Sequence, residues 1–569
     1  PSFINKVAIA RKSVSDTLEA SFTKIAFTPA IANSLANGYP ILDNILLDNA
    51  SIFARQYASA DKQNSKKKMQ LDLGSINLNH ANLDIKQQDD KKSFAFQSKN
   101  IDIKTSKLNI NESGLSIGRT DIKSATLDLT ANDSIKLQID DGAFALQMNY
   151  LNKKSSKDPS SFNTNIQKVE AKKVNLISAG KNGKLFSLTH FNLGGENIIL
   201  DSASPAHILR HLKANPSLFI NNIDLKESNA NATINAFGIG YRNGGRIVTI
   251  DSFQYAPTFD RETYMKNNVY QKDFMQFSSG KITIRNFDIE RIATDSNLQL
   301  NYITIEKPLL QVYKDKHLPL EPGKTKGLPA ALLKKIKQRM HIDSVRLVDG
   351  KIVYEEFNDK TEMIATINLS ELQSLIRNIK NYNIAQTDSL YIVSTARIQD
   401  TAQVSVRFHE SYADSIRSFL YRVRFKRFGL PALNSILLPT ANMKIDRGWL
   451  DTLELRVIGN DYLAHGKMRM YYKDFKIQFL SNKELEKRTI FTKALSWLAN
   501  TFLRTNNVEK TGTVFTERTR EKSFVNYWVK ILLSGAMTNT RIRKNSKQEK
   551  RYQKALKRIQ VPELPEVDL

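Results

Sequence analysis

The sequence predicts a mainly β protein, a long curved antiparallel sheet of repeated hairpins forming an open apolar groove, with few capping helices and a helical basic C-terminus. Three observations lead there. Apolar residues alternate with Asn, Asp, Lys and Ser over most of the chain, as in LDLGSINLNHANLDI, SIKLQIDDGAFALQM and KITIRNFDIERI, the pattern of strands with one dry and one solvated face. A ten-residue unit recurs, with apolar residues at i, i+2, i+7 and i+9. Helical patterns are too few to cover so many strands, so the apolar face needs a second sheet or a ligand.

The clearest copy of the unit is VRLVDGKIVY, residues 345–354. Asp349-Gly350 is a favoured two-residue turn, so the stretch reads as a hairpin with Leu347 opposite Ile352 and Val345 opposite Tyr354. Further copies begin at Ile76, Ile101, Leu137, Phe191, Ile223 and Ile303, and weaker ones at Val169, Val248 and Ile282. Asn286-Phe287 and Lys307-Pro308 do not suit such a turn, and those copies read equally as bulged strands. Units of alternating strand spaced by roughly 20 to 40 residues suit a repeat body in which each unit buries its face only against neighbours.

In chain order, residues 1–68 read as a mixed, partly helical segment, with 41–54 apolar and helix-like and DKQNSKKK at 61–68 a linker. Residues 69–380 read as the repeated β-groove, capped by helices at 205–215 (PAHILRHLKAN), 329–340 (PAALLKKIKQRM) and 370–379. About twenty strands at ~4.8 Å would give a groove of roughly 95 Å. Residues 381–481 form a second β region, and 482–569 a basic helical segment.

At 569 residues the chain can bury a large core, and its formal charge of +27 admits acidic partners without choosing among them. It has no cysteine, which excludes disulfides, thiolate metal sites and cysteine nucleophiles. No run approaches the ~20 apolar residues of a membrane-spanning helix. Gly114-Leu115-Ser116-Ile117-Gly118 matches the nucleophile elbow of hydrolases, but a strand-like stretch follows where that motif needs a helix. His207 and His211 stand four apart on an expected helix without a third metal ligand. Gly323-Lys324-Thr325 lacks the earlier glycine of a phosphate loop. The residues therefore point to no enzyme, metal or cofactor. Aromatics are not interleaved with basic residues on one exposed face, which argues against nucleic acid.

Two basic stretches stand out. In YRVRFKRF, residues 421–428, alternation puts Tyr421, Val423 and Phe425 on one face and Arg422, Arg424 and Lys426 on the other. Such a strand either holds lipid on one side and phosphate on the other, or is an edge strand guarded by charge. Residues 482–560 carry 19 Lys and Arg against 6 Glu. Here Trp497, Tyr527 and Trp528 suit a headgroup level, and Lys550, Arg551, Lys554 and Lys557 suit anionic lipid. A structural cap with solvated lysines accounts for the same residues.

The stretches IDSVRLVDGKIVYEE (342–356), GKMRMYYKDFKIQFL (466–480) and SFVNYWVKILLSG (523–535) resemble the AsmA-like family of bacterial envelope proteins, the second through its closing Tyr472-Lys473-Asp474-Phe475. The resemblance implies a bridge-like lipid transfer protein. Such a protein is periplasmic, is tethered to the inner membrane by an N-terminal anchor absent from this chain, and carries phospholipid acyl chains toward the outer membrane to support its biogenesis. An outer- or inner-membrane protein is a further partner, and no catalytic residue comes with the family. The groove floor is then expected at Ile76, Leu78, Leu83, Ile85, Ile282, Ile284, Ile303, Ile305, Leu310, Val312, Val345, Leu347 and Ile352. The alternative is a structural β-repeat scaffold whose sheet closes into a dry sandwich and binds other envelope proteins.

Overall fold

The structure is a computed structural model. It describes residues 2–57, 71–288, 297–480 and 504–569, apart from 13–15, 89–92, 112–113, 132–134, 152–160, 180–184, 202–218, 229–231 and the single positions 38, 40, 360 and 417. The expected helix at 205–215, the linker at 61–68 and Trp497 lie outside the described residues. The chain divides into two units: Pro1–Asn229 with Ile234–Asp251 and Phe287–Thr294, and Ala230–Thr233 with Ser252–Asn286 and Asp295–Leu569.

The first unit is built from β1 (Ser2–Lys12), β2 (Asp16–Pro29), α1 (Ile31–Asn37), β3 (Ile41–Asp48), β4 (Ser51–Tyr57), β5 (Leu71–Gln88), β6 (Ser93–Thr105), β7 (Leu108–Asn111) and β8 (Gly114–Ala131). It continues through β9 (Ile135–Ile139), β10 (Asp141–Leu151), β11 (Ser161–Ala179), β12 (Leu185–Asp201), β13 (Phe219–Ser228), most of β14 (Ala232–Arg242) and β15 (Ile247–Ile250). The second contains β16 (Ser252–Pro257), α2 (Arg261–Lys266), β17 (Asp273–Ser279), β18 (Ile282–Arg285), β19 (Asn297–Glu306), β20 (Leu309–Asp315), α3 (Pro329–Lys334), β21 (Arg339–Asn358), β22 (Met363–Lys380), β23 (Ser389–Ile398) and β24 (Ala402–Ser411). After these come β25 (Phe419–Phe425), β26 (Phe428–Gly429), α4 (Asn434–Ala441), β27 (Met443–Gly459), β28 (Leu463–Phe479), β29 (Thr511–Glu517), α5 (Phe524–Asn539) and α6 (Asn545–Ile559). The protein is thus mainly β, as the alternation predicts.

Two expectations are corrected. The sheets are mixed, not antiparallel throughout: β3 and β4 run parallel to β5, and β19 and β20 run parallel to β21. A parallel pair needs a long crossover, and residues 316–338, with α3 inside them, supply one between β20 and β21. The ten-residue unit, moreover, is a kinked strand rather than a hairpin. Residues 345–354 all lie within β21, which pairs with β22 on both sides of a register shift between Leu347 and Ile352. Copies at 76, 169 and 191 likewise sit inside β5, β11 and β12. The copy at 101 runs through β6 into β7, and both pair antiparallel with β8, so the path bends at Ser106-Lys107 without reversing.

At the fifth residue of five copies, His80, Lys173, Asn286, Lys307 and Asp349, φ lies between 48° and 60°. A single left-handed residue in a strand is a bulge that bends it. Kinks of neighbouring strands are stitched together: Lys307 N donates to Val348 O and Lys351 N to Pro308 O, each at 2.7 Å. Gly350 is needed there because a Cβ would stand 2.9 Å from Pro308 Cγ.

Bulges also explain the misread helices. Residues 370–379 belong to β22, where Glu371 and Asn378 have φ of 50° and 58°; each bulge shifts the alternation by one and imitates a helical spacing. The helix-like 41–54 is β3 and β4 around Asn49, φ 46°. The helix predicted over 329–340 stops at Lys334, and Arg339 already begins β21.

The second unit packs a closed core on one face of β22 to β29, with Phe408, Val457, Met468, Tyr472 and Ile531 at most 2% exposed. Val514 and Phe515 point to opposite faces of β29. Accordingly α5 packs on the Val514 side through Tyr527 and Ile531, and α6 on the Phe515 side through Tyr552 and Ala555.

The outer edge of β29 is closed by side chains. Asn545 accepts from Thr513 N and donates to Thr511 O, each at 3.0 Å. Ser534 Oγ accepts from Phe515 N at 3.1 Å and donates to Phe515 O at 2.8 Å, while Thr538 Oγ1 donates to Thr513 O at 3.1 Å. The backbone groups that would template another strand are occupied.

Candidate functional site

The apolar face of the first unit is laid out in cross-strand rows. Opposed residues in neighbouring strands share a face. One row runs Ile25, Leu47, Leu78, Ile103, Ile122 and Phe144 across β2, β3, β5, β6, β8 and β10. A second, beyond the kink at His80, runs Ala54, Ile85, Phe96, Leu129 and Leu137 across β4, β5, β6, β8 and β9. Between them the kinks carry a line of mostly small residues, with Ala81, Ile101, Ser124, Gly142 and Ala171 in successive register. Ala81, Ile101 and Ala171 are 3% exposed or less, so the side chains are most crowded at the kinks.

Four of the residues predicted for the groove floor, Ile76, Leu78, Leu83 and Ile85, fall in this unit. Leu78 and Leu83 belong to one cluster with Phe22, Ala50, Ala81 and Ile101. Ile76 is half-buried between Ile45 and Thr105. Most of the face is half-buried rather than sealed: Leu47, Ile52, Leu83, Ile103 and Ile122 are only partly covered, Ile85 is 36% exposed and Phe94 38%. Among the described residues these side chains are covered by their neighbours in the sheet.

The other nine lie in the second unit and are also brought together. Ile282, Ile305 and Leu347 form one row, and Ile284, Ile303, Val345 and Ile376 the next. After the kink, Leu310 stands beside Ile352 and Leu369, and Val312 beside Tyr354. Here the surroundings differ, because Leu347, Ile352 and Leu369 already pack against the closed core. Burial drives the Tyr354 phenol far above its ordinary pKa, with the Glu356 carboxylate adding to it and accepting a hydrogen bond from its O–H at 2.8 Å.

The basic strand divides as alternation predicts. Tyr421, Val423 and Phe425 are core residues of β25, and Arg422, Arg424 and Lys426 take the opposite side. The apolar side is occupied by protein: Trp528 stacks on Tyr421 at 5.1 Å and touches Phe408 at 4.8 Å between ring centroids. Arg424 pairs with Glu454 at 2.6 Å. Arg422 instead stands between Arg407 of β24 and Arg456 of β27, which itself stands opposite Lys467 of β28. Alternation within one strand cannot disclose such a row, because strand register decides it.

Of the expected headgroup-level aromatics, Tyr527 and Trp528 pack against the sheet instead. Tyr527 is 1% exposed and lies edge-on to Phe419 at 5.8 Å, so both it and Trp528 fasten α5 to the sheet. The outward side of α5 presents Val525, Val529 and Leu533, which are 38% to 50% exposed. On α6, Lys550, Lys554 and Lys557 are exposed on the solvent side. Arg551 lies 5.7 Å over the Phe515 ring and donates to Gln548.

Tyr472 of the tetrapeptide 472–475 is fully buried and donates to Arg504 O at 2.9 Å, which joins β28 to the segment ahead of β29. Burial pushes its pKa up to about 12. Asp474 takes the left-handed conformation of a kink, φ 54°, and accepts from Arg447 at 2.9 Å.

Ser116 lies inside β8 opposite Asn109 and Asn149, so the hydrolase-like motif makes no elbow. His207 and His211 fall outside the described residues. Among the described residues no group of acidic or histidine side chains could hold a metal, and no helix is long and apolar enough to cross a membrane. Comparison with protein-family models, with curated proteins and with solved structures gave no match.

Proposed function

We propose that the protein is a lipid-binding and lipid-transfer protein of the bacterial envelope that carries phospholipid acyl chains along the apolar face of its kinked sheet. One observation carries this reading: the face of the first unit is apolar in row after row, yet its side chains stay half-exposed. An apolar surface of this extent, left half-exposed by the described residues, suits an interaction site. Acyl chains fit it because they need area and no directional contacts, at ~0.8 kcal/mol per methylene buried. The kinks serve the same end, since each keeps the apolar residues of both half-strands on one face while bending the sheet around its contents.

On this reading the protein works in the periplasm beside the inner membrane, and the lysines of α6 meet anionic lipid. The resemblance of 342–356, 466–480 and 523–535 to AsmA-like proteins supports a role in outer-membrane biogenesis. The closed core of β22 to β29 favours a second reading for that region, a protein-binding scaffold of the envelope, so lipid carriage is assigned to the first unit and to the strands next to β19.

Mass spectrometry of lipids co-purifying with the native protein tests the proposal, with photocrosslinkers at Leu83, Ile85 and Ile103. Phospholipid captured at all three, and lost on Ile85→Asp, is the expected result. Protein free of lipid, with no crosslink at any of them, makes the scaffold the better account of the whole chain.

A further inference from the structure

The cation row in the second unit fits a different partner. Arg407, Arg422, Arg456 and Lys467 are in direct register on four adjacent strands. Like charges directly opposite one another destabilise a sheet. Arg422 shows the strain: its pKa is held below the ordinary value by burial and then by Arg456 and Arg407.

Two of the four cations are bound by Asp568, whose single carboxylate lies on Lys467. Arg456 donates to Asp568 O at 2.7 Å, and Lys467 to the Asp568 carboxylate at 2.9 Å. Arg407 and Arg422 have no acidic partner among the described residues, and the buried Nε of Arg422 has no acceptor. Beside them lie apolar contacts: Val393, directly opposite Arg407, is 46% exposed, and Tyr391, stacked on His409 at 4.4 Å, is 43% exposed. Both line a cavity of about 550 Å³.

We propose that this row is a docking strip for an extended acidic peptide of a partner protein, and that the tail carrying Asp568 is a tethered competitor for it. Asp568 shows what the strip accepts, while upstream of it the tail is held by α6: Leu564 packs with Phe515, Tyr552 and Ala555, and Glu563 accepts from Gln553. QVPELPEVDL, residues 560–569, alternates Glu563, Glu566 and Asp568 with Leu564 and Val567, which are each 6% exposed. A partner segment of the same pattern sets carboxylates on Arg407 and Arg422 and an apolar side chain over Val393 and Tyr391. Displacing the tail lengthens the strip by two cations. This inference stands whether or not the apolar face carries lipid.

The test uses the full chain and a fluorescent synthetic peptide QVPELPEVDL, followed by anisotropy at two salt concentrations. Combined Arg407→Gln and Arg422→Gln should weaken binding at least tenfold and flatten its salt dependence, while Asp568→Asn should tighten it threefold or more. The double variant should also melt several degrees higher, since it relieves repulsion. Peptide affinity unchanged by the double variant overturns the strip, and a lower melting temperature in that variant shows a structural role instead. Vesicles rich in phosphatidylglycerol form the second arm. Loss of vesicle binding with peptide binding intact would make the row a membrane contact and overturn the proposal. Unchanged affinity in Asp568→Asn removes the competitor.

Discussion

The same substitution placed on two faces measures whether the apolar face of the first unit is covered. Ile531 of α5 is 0% exposed, and Ile85 of β5 is 36% exposed. Isoleucine to alanine removes three carbons, a transfer loss of about 2.4 kcal/mol at ~0.8 per carbon. At Ile531 the surroundings are close-packed and a cavity adds to that loss, so Ile531→Ala should cost roughly 3 to 4 kcal/mol. At Ile85 about two thirds of the transfer term is at stake and water fills the gap, giving about 1.5 kcal/mol. Urea unfolding of delipidated protein reads both. The tryptophans, Trp449, Trp497 and Trp528, all lie late in the chain and their fluorescence follows the second unit, so far-UV circular dichroism must follow the first. A cost of 3 kcal/mol or more at Ile85 would mean a dry layer on that face, and lipid would have no place there. Repeating the measurement with phospholipid present should raise the Ile85→Ala cost, since a bound ligand adds to folded-state stability, and leave Ile531→Ala unchanged.

Reversing Lys550, Lys554 and Lys557 to Glu should weaken co-sedimentation with anionic liposomes, each charge contributing about 1 kcal/mol at best; binding indifferent to the reversals would leave α6 a structural cap. Asn545→Ala bares Thr513 N–H and Thr511 C=O and should cost about 1 kcal/mol, with concentration-dependent oligomers in light scattering; a protein that stays monomeric would show that the edge is guarded by other means. Burial holds the His409 imidazole below its ordinary pKa, and its Nε2 is buried without a partner. The unfolded chain therefore binds the proton more readily, so the contribution of His409 is present above the unfolded value of about 6.5 and is lost as pH falls through the lower folded value. His409→Gln should flatten the fall in melting temperature between pH 7.5 and 5.5, and an unchanged slope would refute that assignment.

Strand content and the apolar residues of the face were legible because period-two alternation survives in the local sequence. What misled was arithmetic. From i+2 to i+7 is an odd number of residues, and an odd step keeps two side chains on one face only if the chain reverses in a turn or gains one bulged residue. Periodicity cannot separate the two. Asp349-Gly350 favours the turn by composition, yet only Asp349 is left-handed, while Gly350 is there to let Pro308 approach. His80, Lys173 and Lys307 at the same position are the better clue, since none suits a tight hairpin and each is a single left-handed residue. The parallel pairs were illegible because partner choice across a long crossover leaves no local trace. The cation row was hidden likewise, for Arg407, Arg422 and Arg456 come from strands whose register only tertiary pairing sets. Trp528 reads as interfacial by residue type and is internal because β25 offers it Tyr421.

The side chains fastened along β29 give the architecture a direction of growth. With Asn545, Ser534 and Thr538 spent on its outer backbone groups, this border offers nothing to a visiting strand, whether from a second molecule or from a duplicated stretch of gene. Added kinked strands would therefore have to enter the sheet upstream of β29. The sheet would then grow on that side only, much as a zip lengthens by adding teeth while keeping its stop.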